Sequence, residues 1–413
     1  MRRRPVSQFQ WLWGAFAIST FGTWLAFDAF PIVAVLALHA GPFEVALLAA
    51  AGVAVSAVVA IPLGPWVERR RKRHVMIGMD CLRFVALATV PLGYAFGALR
   101  FGQLLVVAVV VGAADIGFRA ASGACLKSLV APEQLLAANA RFESTSWTAT
   151  MIGPPLGGAL IGVFGPVTTV VADAVSYLFS ALGVGAIAGR EPRPDRAPSG
   201  PDRRGELIEG WRCLWRHPAL RPLLANAALV NGLIMAPAPL LAVLMLGRLH
   251  IAPWQYGLAF AVPCFGGLVG ARLARRLSAR YGEHTVLRRA GALRAGWGIG
   301  LAFVPGGWAG VATVALIEFG VITCCGLFNP VSATYRLEHV PPDRLARTLA
   351  AWTITTKLAV AALTALFGVL AGVVGVRVAI ALAGILLLAT PLLLPTRARL
   401  ADVAAEPVTL AAA

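Results

Sequence analysis

The sequence predicts an all-α polytopic membrane protein, with twelve transmembrane helices divided between two pseudo-symmetric six-helix bundles. Three observations predict this fold class. Long apolar stretches recur along the chain, positive charges concentrate in every second gap between them, and the two halves repeat each other. The composition agrees, because 58% of the 413 residues are hydrophobic, 13% are charged and the mean hydropathy is +0.77. A soluble core does not need this much apolar sequence.

Twelve apolar stretches are long enough to cross a bilayer, which takes roughly 20 residues in a helix. They lie at 11–38, 43–66, 75–98, 102–124, 137–163, 166–188, 220–247, 254–277, 286–304, 308–331, 346–373 and 376–395. The basic N-terminus resembles the start of a signal peptide, but the apolar stretch behind it is too long and lacks a small-residue cleavage site. We therefore interpret it as an uncleaved first span.

The distribution of basic residues predicts the orientation of the chain. Most of the 36 Lys and Arg residues lie in the termini and the even-numbered gaps, whereas only Arg100, Arg248 and Arg377 lie in or at the edge of the odd-numbered gaps. The positive-inside rule then places both termini in the cytoplasm of a multi-pass protein of the cell membrane. The net charge of +17 is spread over loops beside the spans, where it meets lipid headgroups, so no nucleic-acid partner is expected.

Residues 189–210 form the only long polar gap, and their Pro, Gly and charged residues are typical of a flexible cytoplasmic linker. A short amphipathic stretch at 211–217 is expected to lie on the inner membrane surface. The predicted organisation is a bundle at 1–188, a linker at 189–219, a bundle at 220–395 and a tail at 396–413. We expect a monomer. The six cysteines lack CxxC spacing and fall mostly in spans, so neither a metal nor a cofactor is expected.

The two halves match in several segments. VAPEQL at 130–135 aligns with VPPDRL at 340–345, and PIVAVLAL at 31–38 with PLLAVLML at 239–246. Further matched pairs are Gly158 with Gly368, Gly162 with Gly372, Gly165 with Gly375, and Arg83 with Arg294. A duplicated six-span unit implies a pseudo-twofold arrangement with a site between the halves near the membrane midplane.

Two motifs carry a family resemblance. The loop GPWVERRRKR at 64–73 is similar to the Gly-x-Leu-x-Asp-Arg-x-Gly-Arg-Arg/Lys loop of the major facilitator superfamily, from which Trp66, Glu68 and Arg71 depart. Residues 153–158, GPPLGG, resemble the Gly-Pro-x-x-Gly-Gly motif of proton-coupled exporters. The chain therefore resembles this superfamily, in particular its drug and siderophore exporters.

The resemblance implies a gating role for the first motif and for two residues of the third span. The residues concerned are Gly64, Glu68, Arg69, Lys72, Arg73, Asp80 and Arg83. Acid–arginine pairs there would hold one conformation and break in the other, although topology and headgroup binding also explain a basic loop. In the second motif, Gly153, Gly157 and Gly158 permit close helix contact, and Pro154 and Pro155 predict a bend.

Ionisable residues at membrane depth cost roughly 2.5–3.5 kcal/mol each and need a partner, water or a function. By resemblance, spans one, four, seven and ten line the pathway, which would place Asp28, Asp115, Arg119, Asn231 and Glu318 close to it. Asp115 and Arg119 have i, i+4 spacing, so mutual neutralisation is an equal alternative. Asp28 and Glu318 have no local partner and are candidate proton carriers.

Four further residues inside spans are assigned to the pathway with alternatives left open. Lys357 either pairs with an acid or contacts an anionic substrate. Trp24, Trp147 and Trp352 either pack in the core or stack against an aromatic ligand.

These features favour a secondary active transporter that uses protons to export an amphipathic small molecule, such as a drug, a siderophore or another secondary metabolite. An importer or facilitator of a metabolite is the alternative on the same fold. A receptor, scaffold or intramembrane enzyme is a third class, but the chain contains no HExxH or GxSxG motif. It also contains no GxxxxGK[ST] loop for direct ATP drive.

Overall fold

The computed structural model describes residues 8–68, 70–131, 134–187, 203–218, 220–340 and 344–394. Helices make up the first half as follows: α1 Gln8–Leu25, α2 Ala29–Leu38, α3 Pro42–Glu68, α4 Lys72–Ala95, α5 Phe101–Leu129, α6 Leu135–Phe164 and α7 Thr168–Gly185. The second half contains α8 Arg203–Arg216, α9 Leu220–Met235, α10 Pro237–Ala242, α11 Pro253–Tyr281, α12 Glu283–Gly296, α13 Gly307–His339, α14 Leu345–Val374 and α15 Val376–Ala389. No strand occurs among the described residues of either half.

The helices account for the twelve predicted spans. Ten helical stretches among the described residues are long and apolar enough to cross a membrane. The second predicted span is α3, of 27 residues. The ninth predicted span is α12 followed by a 3-10 segment, Gly298–Phe303. The prediction of an all-α polytopic fold is confirmed.

The first and seventh predicted spans are interrupted rather than continuous. The first divides into α1 and α2 at residues 26–28, and the seventh divides into α9 and α10 at Ala236 and ends in a π-helix, Val243–Arg248. Pro31 and Pro239 are matched positions of the repeat. A proline lacks the amide hydrogen for an α-helical bond and crowds the carbonyl four residues earlier, at Phe27 and Met235, which explains both interruptions.

The pseudo-symmetry is visible in the helix ends. Gly165 and Gly375, matched from the sequence, terminate α6 and α14 with φ angles of 95° and 90°. Both conformations are difficult for a residue with a Cβ, so glycine is needed at each position.

The described helices pack into two compact units. The first combines α1–α7 with residues 241–261 and 306–311, and the second combines the remaining parts of α8–α15. A buried cluster that includes Leu12, Met76 and Phe118 lies in the first unit. A cluster that includes Leu223, Phe328 and Trp352 lies in the second. The predicted bundle boundaries stay a prediction, because this grouping follows packing rather than chain order.

The linker ends in a longer helix than the sequence predicts, and this helix is docked on α14. Trp211 of α8 donates its indole N–H to Thr355 Oγ1 at 2.9 Å. In the first unit, Trp13 donates in the same way to Thr145, the repeat equivalent of Thr355, at 3.0 Å. The amphipathic segment therefore contributes a side chain to the interior of the second unit. Residues 189–202 and 219 of the predicted linker and the predicted tail at 396–413 lie outside the described residues.

Candidate transport pathway and gating network

Asp28 occupies the interruption between α1 and α2. Its φ angle is 55°, its side chain is partly buried, and the hydroxyl of Tyr256 donates to Asp28 Oδ2 at 2.7 Å. Tyr256 belongs to α11, within the same compact unit, and its ring lies 4.9 Å from that of Phe260. No ion pair to Asp28 occurs among the described residues. The acid therefore has a neutral partner and is free to gain or lose a proton without breaking a charge pair.

The Gly-Pro motif of α6 packs directly against the interruption in the first span. A Cβ on Gly153 would lie 2.6 Å from the carbonyl carbon of Trp24, and one on Gly157 would overlap the backbone of Leu25. On Gly158 it would lie 2.6 Å from the carbonyl oxygen of Pro253. These glycines are needed because backbone meets backbone without room for side chains.

The two prolines of the motif, Pro154 and Pro155, lie within α6, which continues to Phe164. Gly257 of α11 faces Pro154 closely enough that a Cβ there would overlap its carbonyl. The backbones of α6 and α11 are therefore in direct contact at the motif.

A charge network joins α4 and α5. Arg119 Nε lies 2.8 Å from Asp115 Oδ2, and Arg83 Nη1 lies 3.4 Å from Asp115 Oδ1. Arg83 also forms an ion pair with Asp80 one helical turn earlier. The exposed fraction of the side chain rises from 0% at Asp80 and 1% at Arg83 to 37% at Asp115 and 67% at Arg119. The intrahelical Asp115–Arg119 pair is thus the accessible end of a buried network.

Basic residues of the loop motif bind helix ends. Lys72 Nζ donates to the carbonyl groups of Val67 and Arg70 at 2.9 and 3.0 Å, and Arg73 Nη1 donates to that of Ile187 at 2.9 Å. Cations there compensate the negative ends of helix dipoles. Gly64 lies in α3, whereas Arg69 and the side chain of Glu68 lie outside the described residues.

The candidate pathway residues of the second half do not share one environment. Glu318 of α13 is partly buried and has no hydrogen bond or ion pair to any described residue. Asn231 of α9 and Lys357 of α14 are exposed. Trp352 is buried in the hydrophobic cluster, with the Arg336 guanidinium 4.3 Å from its ring centroid, so it packs in the core.

The remaining two tryptophans belong to the first half. Trp24 stacks on Phe27 with ring centroids 5.7 Å apart, at the end of α1. Trp147 lies in α6, but its side chain is outside the described part.

The matched arginines occupy equivalent cation–π sites. The Arg83 guanidinium lies 4.6 Å from the ring of Phe118, and that of Arg294 lies 3.6 Å from the ring of Phe328, the repeat equivalent of Phe118. The hydrogen-bond partners of the two arginines differ, however. Arg294 donates to the amide oxygen of Asn226, so the second half retains the buried cation without the carboxylates.

A polar and aromatic cavity between α1 and α6 was missed in the sequence. It has a volume of about 540 Å³ and is lined by Trp13, Phe21, Arg141, Ser144, Thr145 and Thr148, with Ala17. The available signal was the hydroxyl-bearing face at 144, 145 and 148 on an otherwise apolar span. A second cavity of about 620 Å³, which includes Gln8 and Gln134, shares Arg141 with it.

Residues 12–324 match the profile of the Major Facilitator Superfamily. The chain belongs to this superfamily. It is a multi-pass membrane transporter of a small molecule, and not an enzyme. The twelve-helix fold of two related bundles is that of the superfamily, and the loop and glycine motifs lie within the matched range.

Among characterised relatives, the chain is similar to the multidrug efflux pump Tap of Mycolicibacterium fortuitum. The two are 27% identical over 339 residues, which cover 77% of this chain and 79% of the relative. Two solved structures show the same major facilitator fold. A bacterial homologue of the iron transporter ferroportin, in an inward-facing state, has a TM-score of 0.71 at 18% identity and covers 94% of this chain and 100% of its own. The nucleoside transporter NupG has a TM-score of 0.73 at 11% identity, with 94% and 98% covered.

Proposed function

We propose that this transporter is a proton antiporter that exports an amphipathic small molecule by alternating access. The observation that carries the proposal is the similarity to a multidrug efflux pump over 77% of the chain. The substrate is a drug-like compound, a siderophore or another secondary metabolite. The transporter acts as a monomer in the cell membrane with both termini in the cytoplasm.

The coupling role is assigned to Asp28 and Glu318. A carboxyl group that exchanges protons during transport must not be locked by a cation, because an ion pair stabilises the ionised form. Asp28 accepts from the neutral Tyr256 hydroxyl, and Glu318 has no hydrogen-bond or ion-pair partner among the described residues. Protonation would then shift the balance between inward-open and outward-open states.

The gating role is assigned to the Asp80–Arg83–Asp115 network and the loop at 64–73. The network links α4 to α5 through one guanidinium, so a change in the Asp115–Arg119 pair is transmitted to the buried Asp80. Lys72 and Arg73 bind carbonyl groups at helix ends, which can be exchanged for other acceptors when the helices move.

Substrate contact is assigned to the cavity between α1 and α6. It combines the Phe21 ring, the Arg141 guanidinium and the hydroxyl groups of Ser144 and Thr148. Aromatic surface beside a few polar groups suits a compound that is itself amphipathic.

Efflux from cells tests the proposal. The protein would be expressed in a host that lacks its own drug exporters, and efflux of a fluorescent amphipathic compound would be followed with and without a protonophore. We expect resistance to toxic amphipathic compounds, and we expect efflux to stop when the proton gradient collapses. Asp28→Asn and Glu318→Gln should lose efflux at unchanged membrane abundance.

Glu283→Gln is the matched control, because Glu283 is an exposed residue at the start of α12 and removing its charge should leave efflux unchanged. Efflux that persists after the gradient collapses would contradict proton coupling. Substrate accumulation inside cells would contradict export and favour an importer.

A further inference from the structure

Asp173 is a buried acid of α7 that the pathway described above does not use. Its side chain is 6% exposed. The oxygen Asp173 Oδ1 lies 3.5 Å from both Thr23 Oγ1 and Ser176 Oγ. No lysine, arginine or histidine among the described residues forms an ion pair with it. An ionised carboxylate in such surroundings would be costly, because only hydroxyl groups solvate it.

The surroundings of Asp173 connect it to the charge network. The Thr23 hydroxyl lies 2.9 Å from the hydroxyl of Tyr177, and the Tyr177 ring faces the Arg83 guanidinium at 4.1 Å. The helices packed against α7 are chiefly α1 and α4, and α6 contacts it less. Thr23 faces Asp173 from α1, and Arg83 of α4 is the cation that acts on it electrostatically. The ionisable residue of α6 among the described side chains is Arg141, which lies over the Phe9 ring instead.

The network contains one more carboxyl group than guanidinium groups. Its three carboxyl groups are Asp80, Asp115 and Asp173, and its two guanidinium groups are Arg83 and Arg119. Arg83 is bonded to Asp80 and Arg119 to Asp115, which leaves Asp173 without an ion-pair partner of its own among the described residues. A proton on Asp173 would make the network neutral.

The second half shows that the fold does not need these acids. The repeat equivalents of Asp80, Asp115 and Asp173 are Gly291, Cys325 and Ala383. The equivalent arginine, Arg294, is buried with an amide as its hydrogen-bond partner. Three acids in one half and none at the matched positions indicate a function rather than a packing requirement.

We propose that Asp173 is a proton-binding site, occupied at neutral pH, with its proton held among the hydroxyl groups of Thr23, Ser176 and Tyr177. Thr23 is exposed, so its hydroxyl connects the buried acid to the outside of the bundle. A shift of α1 relative to α7 would admit water to the acid, which lowers the cost of ionisation and releases the proton. The use of this proton to drive transport rests on the proposed antiport, whereas the occupancy of the site does not.

Infrared spectroscopy of the purified protein tests the occupancy directly. The protein would be labelled with carbon-13 at aspartate side chains, so that the carbonyl band of protonated aspartic acid is identified by its isotope shift. We expect such a band at neutral pH in the wild type, and we expect Asp173→Asn to remove one component of it. An unchanged band in Asp173→Asn, or a component lost in Asp80→Asn instead, would overturn the proposal. The second outcome is a real alternative, because Asp80 Oδ2 is buried without a hydrogen-bond partner.

A second measurement covers the case in which Asp173→Asn does not fold. Thr23→Val keeps the side-chain volume but removes the hydroxyl that contacts Asp173. The band should then shift in frequency, since the acid loses a hydrogen-bond partner, and an unshifted band would count against the site. Val171, an exposed residue of the same helix, gives the control Val171→Thr, which should leave the band in place.

The two proposals fail separately. Loss of the infrared component in Asp173→Asn, together with efflux that ignores the proton gradient, would support the site and reject the antiport. Efflux that depends on the gradient, with a band that Asp173→Asn does not change, would support the antiport and reject the site.

Discussion

At the scale of single residues, His217 shows how the fold uses a neutral imidazole. It lies between α8 and α9, outside the spans, and its Nδ1 accepts the backbone N–H of Leu220 at 3.3 Å. Burial lowers the pKa of His217 below 6.5, and the neighbouring imidazole of His339, with ring centroids 5.8 Å apart, lowers it further. Only an imidazole without a proton on Nδ1 can accept this bond, so the neutral form is the one that caps α9.

Acid should therefore weaken the start of α9. Because the pKa of His217 is lower in the folded protein than in the unfolded chain, stability should fall as the pH drops below about 6.5, the usual histidine value. The loss should be near the lower end of about 0.5–2 kcal/mol, the usual value of a helix cap, since His217 is only partly buried. Thermal unfolding in detergent between pH 8 and pH 5.5 measures it.

The matched variants are His217→Asn and His250→Asn. Asparagine keeps an acceptor at position 217 but cannot titrate, so its unfolding temperature should depend less on pH. His250 is exposed and has a positive φ angle that asparagine tolerates, so its variant should behave like the wild type. An identical pH dependence in all three proteins would contradict the assignment.

At the scale of elements, the sequence predicts what is local and misses what is not. The spacing of Asp115 and Arg119 predicts their contact because a helix brings residues four apart onto one face. The Asp28–Tyr256 bond joins residues far apart in sequence, and no local pattern indicates it. The helix interruptions were missed because hydropathy measures composition, although Pro31 and Pro239 carried the signal.

The glycine motif of α6 gives a prediction at this scale. Gly158→Ala should destabilise the first unit by about 1–3 kcal/mol, because the new methyl group would lie 2.6 Å from the Pro253 carbonyl oxygen. Gly162→Ala, one turn further on, is the control, since its methyl group would meet only the Trp254 ring at 3.6 Å. Thermal unfolding and efflux rates should both distinguish the two variants, and equal behaviour would show that the backbone contact is unimportant.

The contact between α8 and α14 gives a second prediction at the scale of elements. Trp211→Phe should cost about 0.5–1.5 kcal/mol, because the bond to Thr355 is lost while most of the aromatic surface remains. Trp215→Phe changes an exposed residue of the same helix and should have a smaller effect on the unfolding temperature. A larger effect at 215 would mean that α8 is held by its exposed side.

At the scale of the whole molecule, the alternation of basic gaps predicts which ends of the helices meet the cytoplasm. The exposed positions Arg71 and Glu283 belong to even-numbered gaps, and Arg100 and His250 to odd-numbered gaps. Single cysteines at these positions, in a background without the six native cysteines, should react with an impermeant thiol reagent from opposite sides. We expect the first pair to be labelled only in inverted vesicles and the second pair in intact cells, and the reverse pattern would refute the orientation.

The twelve-helix fold was predictable as a whole because hydropathy, charge alternation and internal repetition agree. Each of the three depends only on the order of the residues in the sequence. The different surroundings of the two matched arginines were not predictable. They appear only when Arg83 and Arg294 are seen in equivalent cation–π sites with different hydrogen-bond partners.

The indole that α8 donates to Thr355 also dictates how the gene could be divided to express the halves as separate polypeptides. A division between codons 189 and 202 leaves Trp211 on the same fragment as Thr355, and co-expressed fragments should reassemble. A division after codon 216 would place Trp211 on the N-terminal fragment. Thr355, on the other fragment, would then lose its hydrogen-bond donor.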